Sequence, residues 1–272
     1  MFFHPNGIGI SNASDQLAGA KNLVTAGTVW YVDSVTGVDA AGRGRSPEYP
    51  VATFAQALSN SSSGDIVVLL PTHDEIVTAQ TQIDKRLTIV GLGTTSGKPS
   101  AGFTNNVAGG IMFANGGAPV EWRNVFFKKN GAAATTYKIA AESYWRFHKC
   151  RFEAGDNDPK SSRSIMLIGA SSDMVFSDCW FGSVATDPTD PPATMVDAIA
   201  FALTRVRFER CTFDAGLTGF SGTTGYALNL GGANVDLVLE DLTLNGADVN
   251  VGSTSTGRAN VLVSTGAARV VW

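Results

Sequence analysis

Apolar residues along this chain fall into a recurring frame of eight, occupying positions 1, 3, 6 and 8. Trp145 to Phe152 reads WRFHKCRF, Met174 to Phe181 reads MVFSDCWF, and Val206 to Phe213 reads VRFERCTF. Val120 to Phe127 (VEWRNVFF) and Leu237 to Leu244 (LVLEDLTL) fit the same frame, and Leu87 to Leu92 (LTIVGL) is a more distant copy. One uninterrupted strand would alternate at 1, 3, 5 and 7, so the phase slips once between positions 3 and 6. A residue there must turn the chain through a corner. The position-5 residues are Gly91, Asn124, Lys149, Asp178, Arg210 and Asp241. None is β-branched, and Gly, Asn and Asp best tolerate a left-handed conformation. Two short strands meeting at such a bend, repeated along the chain, predict part of a coil in a parallel β-solenoid.

A further short strand is predicted ahead of each copy. Phe113 stands nine residues before Trp122, as do Leu167 before Phe176 and Leu230 before Leu239, while Ile139 stands eight before Phe147. Val263 before Trp272 repeats the interval of nine and predicts a further partial coil. The period varies around about 30 residues, and the variation falls in segments 128–137, 153–163, 182–196, 214–225 and 245–259. One corner is therefore tight, and another carries variable loops where function is expected to concentrate.

Cys150, Cys179 and Cys211 share position 6 with Leu92, Val125 and Leu242. A slot that accepts Cys, Val or Leu is an apolar core slot, so the cysteines read as packing residues. Their odd number suits a reducing compartment, and stacked side chains that point in parallel are poorly placed for disulfides. The Phe127, Phe152, Phe181, Phe213 column, continued by Leu244, has the parity of an internal stack.

The chain has 272 residues and a net charge of −4, which supplies no basic stripe for nucleic acid. No apolar run approaches the roughly 18–20 residues of a membrane span. Residues 1–28 read as an extended N-terminal arm without a basic, signal-like start; Phe2, Phe3, Ile8 and Ile10 are candidates for docking it on a partner. Residues 29–272 form the β-helix domain, with 29–86 as N-terminal cap and first coil. Within it, 29–33 and 66–70 are predicted strands, and 52–59 a short helix presenting Phe54 and Leu58 on one face. That helix is the expected plug over the open end of the solenoid.

The stretches YVDSVTG at 31–37, SPEYP at 46–50, ATFAQAL at 52–58, GDIVV at 64–68 and LTIVGLG at 87–93 resemble the opening of pectate-lyase-like right-handed parallel β-helix proteins. The likeness is to the variety found among tailed-bacteriophage virion structural proteins, and it spans roughly residues 29–272. It implies an all-β fold, a right-handed parallel β-helix of about six to seven coils. It further implies a virion location and a homotrimer. Where relatives of this kind carry an Asp-rich stretch after the first strand, this chain has Gly37 to Gly42 (GVDAAG), with one Asp missing, which weakens any metal loop there.

Enzymes of this fold need carboxylates clustered on adjacent coils, about 5–9.5 Å apart for a hydrolase. The outward columns do not supply them: position 4 reads Val90, Arg123, His148, Ser177, Glu209, Glu240, and position 2 reads Thr88, Glu121, Arg146, Val175, Arg207, Val238. The position-5 run Lys149, Asp178, Arg210, Asp241 alternates in sign and reads as an exposed charge ladder. The remaining acidic candidates are Asp156, Asp158, Asp187 and Asp190 in the variable loops, where a glycan or a cation could bind. His4, His73 and His148 read as surface histidines without metal-ligand spacing, and Gly91 and Gly93 as corner glycines. No catalytic residue, cofactor or metal is expected. The expected role is a non-enzymatic virion structural protein, a head decoration, cement or fibre-like protein bound to the major capsid protein or another virion protein. The alternative is a tailspike-type polysaccharide depolymerase or glycan-binding protein acting on a host-surface glycan.

Overall fold

A computed structural model describes residues 27–107, 112–115, 117–129, 137–139, 144–154, 166–168, 171–183, 194–197, 203–214, 226–229, 235–245, 248–250, 258–265 and 270–271. The chain winds through three parallel ladders. The first contains Val29–Val32, Ile66–Leu69, Leu87–Gly91, Val120–Arg123, Trp145–His148, Val175–Ser177, Leu203–Glu209, the first half of Val235–Asn245, and Arg258–Thr265. The second runs from Asp74–Val77 through Gly102–Asn105, Phe126–Lys129, Arg151–Ala154, Trp180–Ser183 and Thr212–Asp214 to the second half of Val235–Asn245. The third pairs Tyr137–Ile139, Met166–Ile168, Thr194–Asp197, Tyr226–Asn229, Asp248–Asn250 and Val270–Val271. Each circuit of the chain visits the ladders in turn and pairs with the circuit before it. This is a parallel β-helix solenoid.

The register follows the frame of eight. Ile89, Trp122, Phe147, Phe176, Phe208 and Leu239 are successive partners in the first ladder. Phe103, Phe127, Phe152, Phe181, Phe213 and Leu244 are successive partners in the second. Parallel strands lie about 4.8 Å apart, and identical rings in register must therefore stack at that spacing. Phe152–Phe181 and Phe176–Phe208 have centroids 4.7 Å apart with planes within 8°. Rings on the two ladders meet edge-on, as Phe176 and Phe181 do at 5.7 Å and 65°. The interior is a double aromatic column in which each ring contacts others above, below and across.

Cys150, Cys179 and Cys211 are buried free thiols beside this column. The Cys179 thiol donates towards the Phe147 carbonyl at 3.5 Å. Burial, with the neighbouring thiols, pushes Cys179 well above the ordinary thiol range, so it has little thiolate character. The packing reading of the cysteines holds, but Leu92 does not share their slot: it is buried in an outward apolar cluster. Ala101, whose carbonyl accepts from Phe126 N–H as that of Val125 does from Arg151 N–H, fills the slot in its coil.

The tight corner is left-handed at Asn124, Lys149, Asp178, Arg210 and Asp241, with φ from 50° to 55°. A side chain there costs about 1–2 kcal/mol. The corner amides offset it by donating across the stack: Lys149 N–H to Ser177 O at 3.0 Å, Asp178 N–H to Glu209 O at 2.9 Å. Gly91 departs from the expectation. It lies within a strand, and the first left-handed residue after it is Gly93 at φ 81°. The reason is packing against the next coil, because a Cβ on Gly91 would lie 2.2 Å from the Asn124 carbonyl oxygen. The Asn124 side-chain amide instead donates to the carbonyls of Gly91 and Gly93 at 2.8 and 3.0 Å.

The end of the chain also corrects an expectation. Within Arg258–Thr265, Val261 pairs with Leu239 in the first ladder, but Val263 pairs with Leu242, at the turn into the second. Val270–Val271, next to Trp272, belongs to the third. Val263 is therefore not on a third-ladder strand ahead of the frame, as the interval of nine predicts, because alternating valines suit any of the ladders. Leu230 and Trp272 themselves lie outside the described residues.

At the N-terminal end the helix spans Phe54–Asn60 rather than 52–59. Asp39 explains the later start. Its carboxylate accepts from the Ala52 and Thr53 N–H groups and the Thr53 hydroxyl, fixing both residues outside the helix. Thr53 then caps the helix by accepting from Gln56 N–H. Phe54, Ala57 and Leu58 are buried, and Phe54 meets Phe103 and Phe113 edge-on at 5.3 Å each, closing the end of the aromatic column.

A second apolar cluster lies on the opposite, outward side of the first ladder. Ile66, Val68, Val90 and Leu92 are buried there, with Val29, Tyr31 and Leu70 packed against them.

Candidate functional site

Three arrangements of polar groups could carry chemistry. The first sits under the cap helix. His73, expected at the surface, is fully buried, with its ring edge-on to Phe103 at 5.2 Å. Its Nδ1 accepts from Ser34 N–H at 3.1 Å, which leaves the proton on Nε2, facing Glu75 Oε2 at 3.5 Å. Burial lowers the His73 pKa to about 4 against the pull of Asp33. Burial raises Glu75 to about 7, with Asp39 adding to it and the Phe54 N–H working against it. Glu75 Oε2 accepts that amide proton at 2.7 Å. The carboxylate therefore anchors the plug helix, and the histidine packs beneath it. The turn PTHD at 71–74 hid this burial, because loop composition does not show which residue of a turn points inwards.

The second arrangement is on the outward face of the middle coils. His148 Nδ1 lies 3.0 Å from Ser177 Oγ and 3.4 Å from Asp178 Oδ2. Serine, histidine and aspartate together invite comparison with an acyl-transfer triad, but both partners converge on one ring nitrogen. A triad needs the serine on one nitrogen and the carboxylate on the other. Asp178 is instead committed to Arg210 through two hydrogen bonds of 2.8 and 3.1 Å, which hold its carboxyl below the usual carboxylate range. The expected charge ladder is present at this step. Within strands, Arg123 pairs with Glu121 at 2.6 Å and Arg207 with Glu209 at 3.1 Å.

The third is a groove of about 770 Å³ running across successive coils at the start of the first ladder. Ser62, Asp65, Arg86, Glu121, Tyr144 and Arg146 contribute to its walls. Glu121 and Arg146 are register partners, so their side chains stand one coil apart. Asp65 is occupied structurally: its oxygens accept from Thr28 N–H at 2.7 Å, Ser62 N–H at 2.8 Å and the Trp30 indole at 3.0 Å. Arg86 and Arg146 are exposed and, among the described residues, neither side chain forms a hydrogen bond or ion pair. Tyr144 stands 54% exposed beside them, an unusual position for a large aromatic. Arg86, Pro119 and Tyr144 each precede position 1 of their coil. Inspection of that extra column would have been the sequence signal for the groove.

The loop carboxylates Asp156, Asp158, Asp187 and Asp190, and the arm residues Phe2, Phe3, Ile8 and Ile10, lie outside the described residues. Among the described residues no cluster of three metal-ligating side chains occurs, and no helix is long and apolar enough to cross a membrane. Comparison with protein-family models, with curated proteins and with solved structures gives no match for this chain.

Proposed function

We propose that this chain is a non-enzymatic structural protein of a tailed-bacteriophage virion, a head decoration, cement or fibre-like protein. The observation that supports the reading most is how the outward charges of the middle coils are used. Glu121, Glu209 and Asp178 each hold an arginine of the same face. Charges neutralised in this way suit a stiff, solvated rod better than a reaction site, which needs groups left uncommitted for substrate. The double aromatic column supplies stiffness along the rod, and the resemblance of residues 29–93 to phage β-helix proteins supplies the setting.

Attachment rests on residues 1–28 and one solenoid face making many modest contacts with the major capsid protein. A repeating shell lattice then adds avidity without a single tight site. The resemblance also suggests a homotrimer, which light scattering on the purified chain would test. The deciding experiment is co-sedimentation of the tagged protein with purified particles. Binding that is lost when residues 1–28 are deleted, with the β-helix still folded, is the expected result. Cleavage of capsular polysaccharide or lipopolysaccharide by the chain, abolished when Asp156, Asp158, Asp187 and Asp190 are changed to Asn, would overturn the reading.

A further inference from the structure

A single sheet face cannot bury itself. Ile66, Val68, Val90 and Leu92 stand on the outward side of the first ladder, and the apolar residues packed against them, Val29, Tyr31 and Leu70, lie in or next to strands of that ladder. Side chains in one such layer shield each other's flanks and leave their tips in water. Yet Val68 is 0% and Val90 4% exposed. The next residues of the same column, Arg123 and His148, have side chains 25% and 38% exposed. A second layer therefore lies over the first coils and ends before the middle ones. The unbroken apolar run Ile66 to Leu70 agrees, because it is the pattern of a strand covered on both faces.

The described connections nearby do not supply that layer. Residues 35–49 are mostly exposed, as are 71, 72 and 94–98, whereas a segment lying on an apolar face would bury one of its own sides. Within 27–129, only 108–111 and 116 are not described, too few to form a cover. The chain before Gly27 is better placed. Gly27 lies on the wall of a groove together with Thr88, Glu121 and Arg146, which are register partners on the outward face. It is pinned there, since a Cβ on it would lie 1.9 Å from the Gly64 carbonyl oxygen. Thr28 N–H donates to Asp65 at 2.7 Å, and Val29 already belongs to the cluster. The chain thus enters on the side that needs covering, and Leu17, Leu23 and Val24 precede the entry point. The face measures about 13 Å along the strands from Ile66 to Leu70 and about 10 Å across Tyr31, Val68 and Val90. Ten residues reach up to about 33 Å, enough to turn at Gly27 and cross it.

We infer that the outward apolar face of the first coils is a docking surface for the chain's own residues 12–26, with Leu17, Leu23 and Val24 seated on Ile66, Val68, Val90 and Leu92. The N-terminal arm then has two parts. Residues 12–26 strap the first coils, and residues 1–11, with Phe2, Phe3, Ile8 and Ile10, are left for a partner. The strap does not depend on where the protein attaches, so particle binding and strap docking fail separately.

The test keeps the full chain and places a thiol on the face with Val90→Cys. The three native cysteines are buried, so Ellman's reagent reads the new thiol alone. Slow labelling is the expected result. Adding Leu23→Asp and Val24→Asp should speed it at least about tenfold, because the face is then open without local unfolding. Removing residues 1–11 should leave the rate unchanged. In an otherwise native chain, a photo-crosslinking residue in place of Leu23 should join residues 66–70 or 87–92 of the same chain. Mixing isotope-labelled with unlabelled protein distinguishes this from joining a second copy. Fast labelling of the Val90→Cys chain overturns the inference, and so does a rate indifferent to Leu23→Asp with Val24→Asp. Cross-links to another segment or to another copy overturn it as well.

Discussion

The first coils and the middle coils share one backbone plan and use its outward face in opposite ways. A single column of register partners runs Val68, Val90, Arg123, His148, Ser177, Glu209, Glu240. At its start the residues are buried and apolar; Val68 is 0% exposed. From Arg123 onward they are polar: His148 meets Ser177, while Arg123 and Glu209 pair with Glu121 and Arg207 two residues before them on their own strands. The interiors differ too. Middle coils repeat the same phenylalanines and cysteines, whereas the first coils are closed by a helix that packs over the buried His73 and is anchored by the half-buried Glu75. A coil stacked between two others inherits its environment from them, so repetition suffices. A terminal coil has only one such neighbour and needs groups of its own to satisfy backbone edges and cover apolar surface.

Exchanging residues within that column breaks the comparison most forcefully. Val68→Glu should destabilise the protein by more than about 4 kcal/mol, because a carboxylate would be buried without a partner. Glu240→Val at the far end should change stability by less than about 0.5 kcal/mol. Denaturant unfolding of the two variants checks this directly, and similar effects would mean that the outward faces do not differ as described.

Truncating the column interior comes next. Phe176→Ala should cost about 3–5 kcal/mol, since the ring is stacked on both sides and cannot be replaced by relaxation of neighbouring coils. Phe54→Ala removes a ring of the same size from the cap. Hydrogen exchange should then show loss of protection confined to the first coils, while Phe176→Ala loosens the middle ones.

The cap should also respond to pH. Glu75 has its folded pKa raised, to about 7 from 4.5, so its favourable contribution is complete below pH 4.5 and is lost as pH rises through 7. The shift corresponds to about 3 kcal/mol at most. His73, lowered to about 4, works in the other direction, and its contribution is lost as pH falls below 6.5 towards 4. Glu75→Gln removes the first dependence alone. Relative to this variant, the wild-type melting temperature should decline between pH 4.5 and 7.5, and parallel curves would refute the assignment.

Smaller effects belong to the middle coils. Cys179→Val should cost less than about 1.5 kcal/mol, as the slot already accepts Val125 two coils away. The native protein should be unreactive to Ellman's reagent until it is unfolded. Smallest of all, Arg210→Gln should shift the melting temperature slightly at low salt and not at all at high salt, because its pair with Asp178 is exposed to solvent.

The comparison also explains what could be read beforehand. Where coils repeat, parity settles orientation. The corner residues Asn124, Lys149, Asp178, Arg210 and Asp241, the phenylalanine columns and the cysteine slot were all legible, since one phase slip fixes every side chain after it. Gly91 was misplaced because its need for glycine comes from the Asn124 carbonyl of another coil. The polar groups of the groove were visible individually, but Arg86 and Tyr144 fall just outside the eight-residue frame and so were not read as a column.

By itself, the amino-acid sequence determined the β-helix, its register, its inward columns and the existence of a capping helix, because those follow from local periodicity and turn chemistry. Only the tertiary structure decided that His73 is buried against Glu75, that Asp39 sets the start of the helix, and that Arg86 and Arg146 open on one groove. Each of these depends on which segments stack side by side, and residues far apart in the chain meet only once the coils have been wound.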